Sequence, residues 1–253
     1  MTHAIILAAG KGERLMPLTK NMPKCCIEFN HITLLQYQIN NFKKADIHNV
    51  SIVVGHMSHQ VLKYGLNTII NKDYESSNMV KSLFFDASFF QNLDEDLIIS
   101  YGDIIYEYKN LIKLCSSSSD ISIMIDANWL DLWKIRMDNP LSDAESLIMN
   151  KKKEIINLGM KAKSYDEIQG QFTGLLKIRK NQIKELRNFY LSLSKDTQNK
   201  MYMTDFIQSI IDIGIKVNAS IVKGGWLEFD TLSDLKIYEK LLLTNKLDNF
   251  FKF

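Results

Sequence analysis

The amino-acid sequence predicts an α/β fold in which a mixed, mainly parallel sheet lies between helices. Short apolar runs alternate with stretches of helical periodicity through the first half of the chain. Such alternation is typical of parallel strands joined by covering helices. A loop with two glycines directly follows the first apolar run, as at the carboxyl end of a strand in an open sheet. The 253 residues are enough for one large core.

The first half of the chain contains strands and helices in regular alternation. Short apolar runs predict buried strands over residues 4–8, 50–54, 96–100 and 120–126. The stretches between them have helical periodicity and predict helices over about 33–45, 78–90 and 107–115. The serine tract 116–119 is expected to be a loop.

The second half begins differently, with a predicted hairpin. Its strands are expected near 146–149 and 154–158, separated by a turn at 151–153, and a further strand is expected near 172–178. Helices are then predicted over about 182–193, 204–213 and 232–243. Thr231 with Asp234 three residues later resembles a capping box that begins the last helix.

Composition limits the number of domains and the classes of molecule that the protein is expected to bind. No segment resembles a linker, so we expect a single domain over 1–253. The net charge of +2 argues against a nucleic-acid partner. The three cysteines, two of them adjacent, argue against a disulfide framework and favour a reducing cytoplasm. We expect no signal peptide and no membrane span, because no apolar run reaches about 18 residues.

The segment from Leu7 to Lys24 carries the strongest functional signal. Gly10 and Gly12 allow the backbone to approach phosphate oxygens closely and to offer them its N–H groups. Lys11, Arg14 and Lys24 add the positive charge that a nucleoside triphosphate requires. Two glycines and a lysine also occur in ordinary strand-to-helix turns, so the spacing of the other residues decides the interpretation.

Two other phosphate-binding motifs do not match this spacing. A dinucleotide-binding turn requires a small residue where Leu15 stands, and Pro17 and Pro23 interrupt the helix that would receive the pyrophosphate. A P-loop requires G-x-x-x-x-G-K-[ST], which is absent from the sequence. The segment instead resembles the L-A-A-G-x-G-x-R-L-x-P-L-T-x-x-x-P-K signature of nucleotidyltransferases that make sugar-nucleotides and CDP-alcohols.

This resemblance implies a Rossmann-like nucleotidyltransferase fold, with residues 1–115 mainly binding the nucleotide and residues 116–253 mainly binding the acceptor. It also implies specific roles for the loop. The glycine loop would wrap the triphosphate, with nucleotide contacts from Leu7, Ala8, Ala9, Gly10, Lys11 and Gly12. Arg14 would contact the distal phosphates with Lys11. Lys24 would sit between the α-phosphate and the acceptor, which makes Lys24 and Arg14 candidate catalytic residues.

Candidate metal ligands follow two further apolar runs. Gly102-Asp103 follows the strand 96–100, and Glu228 and Asp230 are spaced so that both face one side of an extended chain. An aspartate after a strand is also a common turn residue or helix cap. The family has G-D and W-x-E/D-x-D/G motifs at these positions. The resemblance therefore implies that Asp103, Glu228 and Asp230 hold Mg²⁺, or Mn²⁺ in its place, against the α-phosphate, with Asp103 also catalytic.

The segment Tyr74–Leu83 bears on the choice of base. Asn78 or Ser77 is a plausible N-cap, which would make the segment a solvated turn opening a helix. It also resembles the Y-x-x-[ST]-N-x-x-x-S-L element of cytidylyltransferases for phosphocholine and phosphonoalkanoates. The resemblance places Ser77, Asn78, Ser82 and Gly102 at the nucleotide and favours CTP over UTP or dTTP.

Asp126, Trp129, Trp133 and Arg136 form a candidate acceptor site. Tryptophans four residues apart share one face of a helix, and the usual reason is core packing. The segment also resembles the D-x-x-W-x-x-x-W-x-x-R element of the same cytidylyltransferases. In a pocket, aromatic faces with an acid suit an ammonium group, and an arginine suits a carboxylate or phosphate.

Other positions bear less directly on the acceptor. Met203–Gln208 matches the family segment beside the acceptor and implicates Thr204 and Asp205, although Thr204 is also a plausible N-cap. Lys161 is a candidate for the acceptor phosphate or a surface lysine. Gln171 stands where the family usually has glutamate. His56 and His59 lack further ligands at metal spacing and are interpreted as a surface loop.

The resemblance as a whole implies a CTP-dependent cytidylyltransferase that acts on a small phosphorylated acceptor and releases pyrophosphate. Phosphoglutamine, in bacterial capsule synthesis, is the acceptor it favours, ahead of phosphocholine, a phosphonoalkanoate or a sugar 1-phosphate. A homodimer is the expectation from the family. A nucleotide-binding oxidoreductase and a non-catalytic CTP-binding module remain as alternatives.

Overall fold

The computed structural model describes residues 1–253. The strands are β1 (Thr2–Ala8), β2 (Glu28–Phe29), β3 (Ile32–Thr33), β4 (Asn49–Val54), β5 (Asn67–Ile70), β6 (Asp96–Tyr101), β7 (Ile104–Tyr106), β8 (Ile121–Asp126), β9 (Glu145–Met149), β10 (Ile155–Lys161), β11 (Gln171–Ile178), β12 (Asn218–Val222) and β13 (Trp226–Glu228). The α-helices are α1 (Leu34–Lys44), α2 (Met79–Leu83), α3 (Ala87–Asn92), α4 (Tyr108–Cys115), α5 (Trp129–Arg136), α6 (Lys180–Ser192), α7 (Lys195–Lys200), α8 (Met203–Asp212) and α9 (Leu232–Leu243).

Seven strands form the central sheet, in the order β12-β8-β11-β6-β1-β4-β5. Only β11 runs antiparallel to its two neighbours, and every other pair in this sheet is parallel. Strands of the first 115 residues form one side of the sheet, and β12, β8 and β11 extend it on the other. The prediction of a mixed, mainly parallel sheet flanked by helices is confirmed.

Helices on both faces bury this sheet in two apolar cores. Ala4 and Ile6 of β1 belong to one core, which contains 36 buried residues, and Ile5 and Leu7 to the other, which contains 27. This split follows from the alternation of side chains along a strand. A strand buried on both faces reads as a continuous apolar run, which is why β1, β4, β6 and β8 could be predicted. None of the helices has both the length and the apolar character needed to cross a bilayer.

Several predicted elements differ from those observed. The helix expected over 78–90 is two short helices, α2 and α3, because the Asp86 carboxylate accepts the N–H groups of Ser88 and Phe89 and starts a new helix. The predicted N-cap role of Thr204 is wrong: α8 begins one residue earlier, at Met203. The predicted hairpin is formed by β9 and β10. The capping box that begins α9 is confirmed.

Candidate active site

A cleft lies at the carboxyl ends of β1 and β6, where the Gly102 N–H donates to the Leu7 carbonyl at 2.9 Å. Its volume is about 580 Å³, within the usual range for small-molecule sites. Every predicted nucleotide-binding residue lines it: Leu7, Ala8, Ala9, Gly10, Lys11, Gly12, Ser77, Asn78, Ser82 and Gly102. Arg14, Lys24, Asp103 and Asp230 line the same cleft. Residues from distant parts of the sequence thus converge on one cavity.

The glycine loop is folded tightly onto Lys24. Gly12 has a φ of +64°, and a Cβ built there would lie 3.1 Å from Thr19 Cγ2 and 3.2 Å from Lys24 Cβ. The Thr19 hydroxyl donates to the Gly12 carbonyl at 2.8 Å. A side chain at position 12 would therefore be strained and would press on the lysine.

Lys24 contacts one aspartate from each of the two candidate metal-binding segments, Gly102-Asp103 and Trp226–Asp230. Its Nζ lies 2.6 Å from Asp103 Oδ2 and 2.9 Å from Asp230 Oδ1, and Arg14 also pairs with Asp230. Burial by itself would lower the pKa of Lys24, but the Asp103 and Asp230 carboxylates outweigh it and raise the pKa above its ordinary value. Lys24 is therefore a permanent cation at neutral pH.

Asp103 and Asp230 are the carboxylates that fit a divalent cation best. Asp103 Oδ1 is buried and has no hydrogen-bond partner. Mg²⁺ prefers oxygen ligands and is often held by only one or two carboxylates together with substrate phosphates and water. No three acidic, cysteine or histidine side chains are gathered as a closed metal cage. Glu228 does not line the cleft but pairs with Arg136 at 2.9 Å. Burial raises the pKa of Glu228 to about 7 although Arg136 opposes this.

Four of the candidate acceptor residues of the second half lie outside the lining of the cleft. Asp126, Trp129 and Trp133 are buried, and none of them lines the cleft. The Asp126 carboxylate accepts the N–H groups of Asn128 and Gly224, both at 2.8 Å. Trp133 stacks on Trp226 at 5.8 Å. Arg136 is also buried. The tryptophan stripe is thus core packing, and the prediction that these four residues bind an acceptor is not supported by their positions.

The other candidate acceptor residues lie together near a further acidic side chain. Thr204 and Asp205 stand in the first turn of α8. Neither they nor Lys161 and Glu145 line the cleft, whereas Tyr202, just before the helix, does. Lys161 is exposed and pairs in register with Glu145 across the β9–β10 hairpin. Burial and the nearby Asp205 carboxylate raise the pKa of Glu145 to about 7. Sequence reasoning missed Glu145, because nothing in its neighbourhood of the chain distinguishes it from an ordinary strand-end acid.

Gln171 and His56 have structural contacts. The Gln171 amide accepts the Glu145 N–H and donates to the Glu145 carbonyl at 2.6 Å, so it fixes the start of β9. His56 Nε2 lies 3.1 Å from the Thr19 carbonyl and helps to hold the glycine loop.

The fold and the cleft together define an α/β protein of the nucleotide-transferring type. The chain belongs to the Nucleotidyl transferase family, whose sequence model matches residues 3–130.

The similarity to one relative extends over nearly the whole chain, and the similarity to a second covers less than half of it. The chain is 40% identical to the CTP:phosphoglutamine cytidylyltransferase of Campylobacter jejuni subsp. jejuni over 250 residues, covering 93% of this chain and 98% of that protein. It is 36% identical to the choline-phosphate cytidylyltransferase of Streptococcus pneumoniae over 114 residues, covering 44% of this chain and 48% of that one.

Solved structures confirm the fold. The inositol-1-phosphate CTP transferase of T. maritima superposes with a TM-score of 0.76 at 23% identity, covering 100% of this chain and 98% of that one. The CTP:phosphocholine cytidylyltransferase of Streptococcus pneumoniae gives a TM-score of 0.72 at 21% identity, covering 95% and 99%.

Proposed function

We propose that the protein is a CTP-dependent cytidylyltransferase that transfers CMP to a small phosphorylated acceptor, phosphoglutamine, and releases pyrophosphate. The observation that carries this proposal is the similarity to the Campylobacter jejuni enzyme, which extends over 98% of that protein at 40% identity. The cleft supports it, because Gly10, Gly12 and Lys24 surround a cavity of a size suited to a nucleotide.

The reaction requires little covalent chemistry from the protein. An oxygen of the acceptor phosphate attacks the α-phosphorus of CTP and forms the new P–O bond, while the bond to the β-phosphate breaks and pyrophosphate leaves. The terminal phosphoryl group of the acceptor carries ionised oxygens at neutral pH, so no general base is needed. Lys24, which remains protonated, neutralises charge on the α-phosphate while the bond to the β-phosphate is replaced by the bond to the acceptor oxygen. Gly10 and Gly12 position the triphosphate through backbone N–H groups.

Asp103 and Asp230 would hold Mg²⁺ in this proposal. When bound, the ion would neutralise part of the charge on the phosphate oxygens. It would compete with Lys24 for the same two carboxylates, since Lys24 contacts both of them. Release of Lys24 from one carboxylate would make its ammonium group available to the phosphate.

The residues near α8 favour an acceptor that carries an amino group. Glu145 and Asp205 lie close together, and neither forms an ion pair with a basic side chain. An ammonium group on the acceptor would be attracted to these carboxylates. Phosphocholine and phosphonoalkanoates with an amino group share this chemistry and remain secondary candidates. The free thiols of Cys25, Cys26 and Cys115 support action in a reducing compartment such as the cytoplasm.

Pyrophosphate release tests the proposal directly. The protein is incubated with Mg²⁺ and each of CTP, UTP, dTTP and ATP, together with phosphoglutamine, phosphocholine, 2-aminoethylphosphonate or glucose 1-phosphate. We expect release with CTP and phosphoglutamine to exceed every other pair by at least tenfold. Release that is fastest with a sugar phosphate, or with a nucleotide other than CTP, would contradict it. Binding of CTP without release for any acceptor would identify a non-catalytic module.

A further inference from the structure

The buried guanidinium of Arg136 connects Glu228 with Asp234, which lie on either side of Asp230 in the chain. Its side chain is only 3% exposed. Arg136 Nη2 lies 2.9 Å from Glu228 Oε2, while its Nε and Nη2 donate to the Asp234 carboxylate at 2.9 and 3.3 Å. One planar group therefore contacts carboxylates on both sides of Asp230 in the chain.

Asp234 in turn holds the backbone of Asp230. Its Oδ2 accepts the N–H of Asp230 at 3.1 Å and that of Thr231 at 2.8 Å, as well as the Thr231 hydroxyl at 3.0 Å. Asp234 is itself 2% exposed. Arg136 lowers the pKa of Asp234 and opposes the effect of burial, so the carboxylate stays ionised and able to accept these bonds.

Two tryptophans fix the position of the guanidinium. Arg136 Cζ lies 4.9 Å from the centre of the Trp133 ring, and Trp133 stacks on Trp226 with an interplanar angle of 19°. Trp133 Nε1 donates to Asp143 at 3.0 Å. The spacing of Trp129, Trp133 and Arg136 along α5 thus builds a rigid support beneath the acidic segment.

We propose that Arg136 is a positioning residue for Asp230: it holds Asp234, which accepts the Asp230 N–H, and Glu228, two residues before Asp230, and so sets the cation affinity of the cleft. This inference rests on the proposed function, in which Asp103 and Asp230 hold a divalent cation. It replaces the expectation that Arg136 binds an acceptor carboxylate. A lysine cannot make the same contacts, because a single ammonium lacks the planar fork that reaches both carboxylates.

The test measures Mn²⁺ affinity, using the metal alone and electron paramagnetic resonance of the full-length protein. The variants are Arg136→Lys, which keeps the charge, and Asp234→Asn, which leaves a single oxygen to accept from both Arg136 and the Asp230 N–H. Mutation of residues that orient metal ligands typically weakens metal binding or activity by about 10–100-fold. We therefore expect the Kd for Mn²⁺ to rise at least tenfold in each variant, with the KM for acceptor within threefold of the parent at saturating Mg²⁺.

Two matched controls separate positioning from general loss of packing. Lys177→Gln removes another buried cation, whose Nζ donates to the Cys115 carbonyl at 2.9 Å outside the cleft. Asp86→Asn alters another aspartate at a helix start. Lys177→Gln is expected to lower the melting temperature, whereas Asp86→Asn should change it little because asparagine caps a helix as well as aspartate does. Both controls should leave the Kd for Mn²⁺ within twofold of the parent.

The outcomes are distinct. A folded Arg136→Lys variant with a Kd for Mn²⁺ within threefold of the parent would overturn the inference, as would a rise in acceptor KM of tenfold or more without a change in Mn²⁺ affinity. If Arg136→Lys does not fold, Asp234→Asn decides by the same criteria. Absence of CTP-dependent pyrophosphate release from the parent would refute the proposed function, but the comparison of Mn²⁺ affinities would still be interpretable.

Discussion

Replacement of Lys24 by methionine tests the centre of the proposed site. The substitution keeps an unbranched side chain of similar length but removes the ammonium, which lies 2.6 Å from Asp103 and 2.9 Å from Asp230. Two carboxylates that shared one cation then face each other, with Arg14 left as the partner of Asp230. The variant should therefore lose stability, lose turnover, and bind free divalent cations more tightly.

The size of each effect follows from the exposure of these groups. Removing one partner of a fully buried ion pair costs about 3–5 kcal/mol. The side chains of Asp103 and Asp230 are 22% and 15% exposed, and water and Arg14 compensate in part. We therefore expect a loss of about 2 kcal/mol, or roughly 4–8 °C in melting temperature for a domain of this size. Loss of one preorganised group that stabilises transition-state charge lowers kcat by about 10²–10³-fold.

The contribution of Lys24 to the stability of the fold depends on pH in a direction that follows from its pKa. The folded-state pKa of Lys24 is raised above its ordinary value. Its contribution is therefore complete below the ordinary lysine pKa and is lost only as the pH rises through the raised value. The difference in melting temperature between parent and variant should change little between about pH 6 and pH 9 on account of the lysine.

The assay combines pyrophosphate release, thermal unfolding and Mn²⁺ binding without nucleotide. Lys20→Met is the matched control, because Lys20 is exposed and does not line the cleft. It should resemble the parent in all three measurements. Turnover of Lys24→Met within threefold of the parent, or weaker binding of free Mn²⁺, would refute the reasoning.

Three further predictions concern other groups near the cleft. Asp103→Asn should lower Mg²⁺-dependent turnover by at least tenfold, measured as pyrophosphate release, because Asp103 Oδ1 is a buried oxygen without a partner; turnover within threefold would exclude it as a metal ligand. Burial raises the pKa of Glu145 from 4.5 to about 7, so the folded state favours the neutral carboxyl group. The contribution of Glu145 to stability is therefore present below its ordinary pKa and is lost as the pH rises through about 7. The free energy of unfolding of Glu145→Gln, measured with urea and compared with that of the parent, should rise by about 2 kcal/mol between pH 5 and pH 8. The exposed control Glu239→Gln should show no such rise. Gly12→Ala should cost about 1–2 kcal/mol at its positive φ and raise the KM for CTP, whereas an unchanged KM would show that the loop adapts.

The sequence alone was sufficient for the fold class and for the cleft. Buried parallel strands are continuous apolar runs, so β1, β4, β6 and β8 are visible locally. The glycine loop and the Gly102-Asp103 turn both follow such strands, and parallel strands bring their carboxyl ends to one edge. Seven of the ten predicted nucleotide-binding residues, Leu7 to Gly12 and Gly102, therefore line the observed cleft. Ser77, Asn78 and Ser82, which the resemblance to cytidylyltransferases indicated, line it as well. The strands β5 and β12 were not predicted, because they are brief and carry polar residues.

Tertiary structure decided which side chains of the second half face the cleft. The spacing of Trp129, Trp133 and Arg136 is the same for a ligand pocket and for core packing, because periodicity reports a shared face but not what that face contacts. Only the packing of α5 against α9 shows that Arg136 meets Glu228 and Asp234. The nearness of Glu145 to Asp205 likewise depends on how α8 packs on the β9–β10 hairpin. Such contacts join residues that are distant in the chain, so local sequence patterns cannot predict them.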